Sequence, residues 1–250
     1  MTDGTDALAA EIRRADSVVA LTGAGVSTAS GIPTFRGEDG IWNEWDPNTF
    51  HRRRFDADPD GFWRDRLELR AELYGDSDPE PNAAHTALTA MEADGHLDAV
   101  LTQNVDGLHS AAGSERVVEL HGTHRRVRCD DCGDRRPADP VFEAASVDSE
   151  ELPPRCDCGG VYRPDVVLFG ESLADTVLEE AQRLARESDV LLAVGSSLSV
   201  RPASLLPRIA VESGATLAVV NFDRTPQDDA ATYVVREDVT ELLPAVVDPL

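Results

Sequence analysis

GAGVSTASGIPTFRG, residues 23–37, decides how the rest of the chain is read. It follows the apolar run Val18-Val19-Ala20-Leu21, so a short strand feeds directly into two glycines, the opening of a phosphate-binding loop. No third glycine sits where G-x-G-x-x-G would need it, and Pro33 follows eight residues after Gly25. A proline there argues against the long helix that a dinucleotide loop normally opens. The stretch therefore predicts a strand at a sheet edge, then a nucleotide-facing loop ending in Phe35-Arg36-Gly37.

Outward from that loop, apolar runs alternate with helical patterns, the signature of a parallel α/β sheet with helices on both faces. Strands are expected over Ser17–Leu21, Ala99–Thr102, Val117–Leu120, Val166–Phe169, Val190–Val194 and Thr216–Asn221. Helices are expected over Leu8–Arg14, Phe62–Tyr74, Ala83–Glu92, Asp175–Glu187, Ala203–Glu212 and Val239–Val246. Residues 40–81 and 125–164 break the rhythm with arginines, aromatics, prolines and charges, and the first closes in the turn-forming GDSDPEPN. Residues 41–81 and 125–164 are expected to build a small second lobe on a body made of 1–40, 82–124 and 165–250.

The second insertion holds all four cysteines, as C-D-D-C at Cys129 and Cys132 and C-D-C at Cys156 and Cys158. Two close thiolate pairs match a closed tetrahedral zinc site, able to organise a segment too polar to fold alone. Two disulfides are the competing reading. The C-x-C arm is tighter than the usual C-x-x-C, and Gly159-Gly160 supplies backbone freedom beside it.

Polar residues gather at the predicted strand ends, where an open α/β sheet binds its ligands. TQNVDGLH puts Gln103, Asn104, Asp106 and His109 after one strand, and His121 ends the next. A histidine so placed can act as a general base near neutral pH. Gly195, Ser196 and Ser197 end a third strand, and Asn221 and Phe222 end a fourth. Small residues and hydroxyls in this arrangement suit an adenosine and its phosphates.

Charge sets limits on partners. The 250 residues carry 47 Asp+Glu against 23 basic residues, a net charge of −24, and all 23 are arginine. That surface reads as adaptation to a salty cytoplasm and argues against a general nucleic-acid binder. No apolar run is long enough to span a membrane, and the acidic N-terminus does not resemble a secretion signal, so a cytoplasmic protein is expected.

Taken together, GAGVSTASGIPTFRG, TQNVDGLH, the HG at 121–122, the paired cysteines, RPDVVLFGE, GSSLSVRPA and VVNFDRTPQD resemble the sirtuins, NAD-dependent protein deacylases, over nearly the whole length. The resemblance implies a Rossmann-like domain and a zinc-bearing lobe, with NAD and an acyl-lysine peptide or protein held between them. It sets the backbone of Gly23, Ala24 and Gly25 against the NAD phosphates and counts Ser27 and Thr28 among the cofactor-binding residues. Phe35 and Arg36 fold over the nicotinamide ribose in this scheme. It gives Asn104 and Asp106 to the ribose and carboxamide, with Gln103 beside them in the cofactor site, and Gly195, Ser196, Ser197, Asn221, Phe222 and Val239 to the adenosine side. His121 becomes the general base, with Asn104 beside it in catalysis. The implied reaction has the acyl oxygen attack the anomeric carbon as nicotinamide leaves. His121 then deprotonates the ribose hydroxyls, and hydrolysis yields lysine and O-acyl-ADP-ribose. Val167, Leu168, Phe169 and Gly170, ending in Glu171, match the segment that pairs with the substrate as an added strand.

Acetyl is the expected acyl group. Sirtuins that prefer succinyl or malonyl groups carry Tyr-x-x-Arg, and here Trp63-Arg64-Asp65-Arg66 stands in its place. Spacing of three puts Trp63 and Arg66 on one helix face, where Arg66 could clamp a carboxylate. Mono-ADP-ribosyl transfer is a second outcome of the same fold. A hydride-transferring dehydrogenase and a zinc-ribbon nucleic-acid adaptor are disfavoured by the missing glycine and by the charge.

Overall fold

The computed structural model describes residues 3–37, 40–74, 78–145 and 152–247, so residues 75–77 of the expected turn lie outside the described residues. Along the chain the strands are β1 (Val18–Thr22), β2 (Ala99–Thr102), β3 (Val117–Glu119), β4 (Gly122–Cys129) and β5 (Arg135–Pro137). They continue as β6 (Tyr162–Val166), β7 (Val190–Val194), β8 (Thr216–Val220) and β9 (Tyr233–Val235). The helices are α1 (Asp3–Arg14), α2 (Arg52–Ala57), α3 (Pro59–Tyr74), α4 (Ala83–Ala93) and α5 (Leu108–Ala112). After them come α6 (Ala138–Ala144), α7 (Asp175–Glu187), α8 (Leu206–Glu212) and α9 (Val239–Val247).

Six strands form one parallel sheet in the order β3-β2-β1-β7-β8-β9. Successive residues of a strand face opposite sides, so a strand covered on both faces must be apolar throughout. β1 follows this rule. Val18 and Ala20 pack with Leu8 and Ile12 of α1, Leu88 of α4 and Leu242 of α9. Val19 and Leu21 pack on the other side with Leu184 of α7 and Leu206 of α8. The chain leaves β1 in one direction and returns as β7 beside it, so the carboxyl ends of β1 and β7 mark the switch point where an open sheet binds ligands.

The ends of β1 and β7 meet too closely for side chains. Gly23 N donates to Val194 O at 3.1 Å and Gly25 N to Gly195 O at 2.8 Å. A Cβ on Gly25 would lie 2.9 Å from Gly195 Cα. Glycine is required here by the approach of one backbone to another. Short 3₁₀ turns at Ala24–Val26 and Thr28–Ser30 follow β1.

A second sheet, antiparallel in the order β5-β4-β6, leaves the large one just after His121. Gly122 makes that departure at φ 75°, and a Cβ there would fall 2.1 Å from Asp165 O. A third apolar cluster packs against this sheet, rich in aromatics: Phe50, Phe55, Phe62, Trp63, Phe142 and Tyr162. Two expectations need correction. The apolar run Val166–Phe169 is not a strand of the large sheet: Val166 ends β6, which pairs with β4, and Val167 N donates to His121 O at 2.9 Å. The expected helix over Ala203–Glu212 begins with a 3₁₀ turn, Ala203–Leu205, before α8. β9 was not foreseen. Among the described residues no helix is long and apolar enough to cross a membrane.

Candidate active site

A cavity of about 320 Å³ opens at the switch point. Its walls come from the loop after β1, the ends of β2, β3, β7 and β8, helix α3, and the segment after β6. Gly23, Ala24, Gly25, Phe35 and Arg36 line it, as do Gln103, Asn104, His121, Gly195, Ser196, Ser197 and Asn221.

At its centre the His121 Nδ1 lies 3.0 Å from the Gln103 carbonyl oxygen. A carbonyl can only accept, so Nδ1 carries the proton and Nε2 keeps its lone pair. Burial lowers the pKa of His121, the Gln103 carbonyl opposes that shift, and the Arg36 guanidinium adds to it. The imidazole is therefore neutral at pH 7 and able to take a proton.

Asn104 is held rigidly: its Nδ2 donates to Gly23 O and to Ser27 Oγ, each at 3.1 Å. Ser27 Oγ in turn donates to Asp106 Oδ2 at 2.8 Å, and Asp106 Oδ1 accepts from Leu108 N at 2.9 Å. Ser27 and Asp106 thus stand behind the cavity wall and orient Asn104 without lining the cavity. Gln103 Nε2 donates to Ser196 Oγ at 2.8 Å, tying the end of β2 to the end of β7. His109 is buried on α5, 2.9 Å from Thr22 Oγ1 and with its ring tilted against that of His85, and burial pushes its pKa down to about 3.

Several residues expected at the site do not line the cavity. Thr28 turns back onto Gly25 O at 3.1 Å. Phe222 is two-thirds exposed, and Val239 is buried in the core among α1, α4 and α9. Trp63 does not reach the cavity: its indole N–H donates to Tyr162 O at 2.8 Å and its ring packs on Phe142. Gly170, at φ 85°, also stands outside, because it packs on the His51 ring where a Cβ would sit 2.2 Å away. Val167, Leu168 and Phe169 do line the cavity.

Arg66 does so too, and it is 5% exposed with Nη2 lacking any partner. Burial lowers its pKa to about 10, which leaves it charged at pH 7. His124, which the sequence reasoning passed over, shares this end of the cavity and has its Nδ1 buried without a partner. The available signal was a histidine three residues after His121, in a strand that passes beside the cavity.

The four cysteines converge. Their Sγ atoms all lie within 4.8 Å of one another, with Cys129–Cys158 at 3.6 Å and Cys132–Cys156 at 3.7 Å. A tetrahedron with zinc–sulfur bonds of ~2.3 Å has sulfur–sulfur edges of about 3.8 Å. A disulfide needs about 2.05 Å, and all four cysteines are free. The donor set fits one zinc ion with no open position.

The Sir2 family profile matches residues 23–202. An "NAD-dependent protein deacetylase" of Haloarcula marismortui is 71% identical over 98% of this chain and 94% of its own length. An "NAD-dependent protein deacylase" of Aeropyrum pernix is 51% identical over 89% of this chain and 88% of its own. The solved complex "Sir2-p53 peptide-NAD+" superposes with a TM-score of 0.87 at 36% identity, covering 100% of this chain and 98% of that one. With most of its length inside the family profile and the cysteine knuckle, glycine loop and strand-end histidine in place, the chain belongs to the Sir2 family, the sirtuins.

Proposed function

We propose that the chain is an NAD-dependent protein lysine deacylase that releases nicotinamide and O-acyl-ADP-ribose, with acetyl as its ordinary acyl group. The observation that carries this reading is the neutral His121, whose Nδ1 is spent on Gln103 O, in one cavity with the glycine loop and Asn104. NAD supplies an anomeric carbon that becomes electrophilic as nicotinamide departs. The residues supply the rest. The backbone of residues 23–25 approaches the phosphates, and Phe35 and Arg36 cover the ribose and exclude water. Asn104, clamped by Gly23 and Ser27, orients the sugar, and His121 Nε2 takes a hydroxyl proton. Val167–Phe169 offers an extended edge to the peptide. Residues 41–81 and 125–164 act as the lobe that carries this edge, with Cys129, Cys132, Cys156 and Cys158 holding a structural zinc.

Arg66 favours a second reading for the acyl group. An unpaired guanidinium in a buried site is costly, and a carboxylate on the acyl chain would pair with it. Trp63 takes no part, but His124 offers a further polar atom beside Arg66. Free thiols and a charge of −24 support a reduced cytoplasm and speak against a nucleic-acid partner.

An acyl-peptide panel with NAD in molar KCl tests both readings. Nicotinamide and O-acetyl-ADP-ribose formed from an acetyl-peptide support deacylation, whereas ADP-ribose attached to protein would support transfer instead. A succinyl-peptide turned over at least as well as the acetyl one, with that advantage lost in Arg66→Met, would establish the acidic-acyl preference. Equal losses for both peptides would refute it.

A further inference from the structure

Four charges that the reaction does not use link the cysteine knuckle to the peptide-facing segment. Asp130 sits inside the knuckle, between Cys129 and Cys132. Its Oδ1 accepts from Arg163 Nε at 2.9 Å, and its Oδ2 pairs with Arg52 Nη2 at 2.5 Å. At the other end, Arg163 Nη2 reaches Glu171 Oε1 at 3.1 Å and Arg52 Nη1 reaches the same oxygen at 3.4 Å. Asp56 also pairs with Arg52 at 2.7 Å and Arg128 approaches Asp130 at 3.7 Å, so the quartet and its two neighbours together are neutral. Arg163 is 3% exposed, and both carboxylates are below 20%.

Arg163, Glu171 and the main chain of Arg52 also hold the backbone beside the cavity. Glu171 Oε2 accepts from Leu168 N at 2.9 Å, and Arg163 Nη1 donates to Val166 O at 2.9 Å. Arg52 N donates to Phe169 O at 2.9 Å, while Phe169 N donates to Phe50 O at 3.3 Å. The segment 166–169 is thus held by the side chains of Arg163 and Glu171 and by main-chain bonds to Arg52 and Phe50. Buried ion sets are weak stabilisers, because desolvation cancels most of the attraction. Their directional geometry nonetheless allows few alternative arrangements, so a shift of Asp130 must shift Arg163 and, through it, Glu171 and Leu168.

We propose that Asp130, Arg163 and Glu171 are positioning residues that couple metal occupancy of the cysteine knuckle to affinity for the acyl-peptide. The coupling rests on the reading of Val167–Phe169 as the peptide's partner. It is reciprocal by linkage: whatever the bound metal contributes to peptide affinity, bound peptide contributes to metal retention.

The test uses the full zinc-loaded chain in molar KCl and measures at equilibrium how much zinc a chelating dye takes from it, with and without saturating acetyl-lysine peptide. In the wild type, peptide raises zinc affinity by about fivefold or more, the lower end of ordinary coupling. In Glu171→Gln that protection disappears and peptide KM rises about tenfold, near 1.4 kcal/mol, while affinity for ADP-ribose stays within about twofold of the wild type. Asp130→Asn, which lies away from the peptide edge, shows the same KM effect. Wild-type zinc affinity indifferent to saturating peptide would overturn the coupling without recourse to any variant. So would a parallel fall of peptide and ADP-ribose affinity in both variants, the mark of general loosening. A wild type that deacylates normally but fails these tests refutes only the coupling, whereas a chain with no deacylation at all overturns the reading of the site as well.

Discussion

For His121 the tautomer settles the chemistry, because only Nε2 retains a lone pair once Nδ1–H is given to Gln103 O. A depressed folded pKa keeps the ring neutral at pH 7 and moves protonation below the ordinary 6.5. Deacylation should therefore be flat in kcat/KM from pH 7 to 8 and fall only below pH 6.5, measured by product formation in a constant-ionic-strength buffer series. His121→Ala should lose about 10²–10⁴-fold in rate and lose that acid limb with it. Much of the site was legible because strand ends are fixed by apolar runs, and His121, Asn104 and the glycines stand immediately beyond them. Spacing alone misled at Trp63. It places Trp63 and Arg66 on one helical face but says nothing of which inward-facing side chain meets the cavity and which meets the core. Trp63→Phe should strand the Tyr162 carbonyl at a cost of about 1–3 kcal/mol, seen as a fall in melting temperature of ~2–4 °C per kcal/mol. The ratio of succinyl to acetyl turnover should not change. A change in that ratio would return Trp63 to the acyl pocket.

At the level of elements, β1, β2, β7 and β8 could be read from the sequence because a strand covered on both faces has no polar positions to confuse its pattern. Val166–Phe169 carries the same apolar signal for a different reason. It passes between a sheet end and an aromatic cluster and pairs with β4 and with His51, outside the large sheet, so an apolar run packed on that cluster imitates a central strand. β9 escaped notice because it is three residues long at a sheet edge, with Val234 exposed. The close approach of β1 and β7 is also invisible in any single segment, since it depends on glycines 170 residues apart, Gly25 and Gly195. Gly25→Ala tests it directly. The added Cβ meets Gly195 backbone at 2.9 Å, and neither strand end can yield without opening the sheet. The expected result is a loss of about 1–3 kcal/mol in stability with NAD affinity weakened at least ~10-fold, by chemical denaturation and calorimetric titration. Unchanged affinity would mean that the glycine loop does not contact the dinucleotide.

Over the whole molecule the decisive quantity is the net charge of −24 on a body of about 18 Å radius of gyration. Salt acts on it in two opposing ways. It screens the repulsion among 47 acidic residues, and it weakens the arginine–carboxylate pairs that dot the surface, such as Arg183–Glu180 and Arg116–Glu180. Distance decides between them. Paired atoms within 4 Å are little affected until the Debye length falls to about 3 Å near 1 M, and exposed pairs contribute only about 0–1 kcal/mol each. Repulsion between unpaired acids acts over tens of ångströms at low salt and is removed first. The melting temperature should therefore rise between 0.1 and 2 M KCl, by about 10 °C if screening recovers a few kcal/mol. Tryptophan fluorescence would follow it, since all three tryptophans pack in or against the aromatic cluster beside the zinc knuckle. A melting temperature that falls over the same range would mean that surface pairs, not net charge, govern stability. Within the quartet, Arg163 is 3% exposed and Asp130 and Glu171 below 20%, so its central pairs should hold at both salt concentrations, and peptide protection of bound zinc should persist where the global stability changes most.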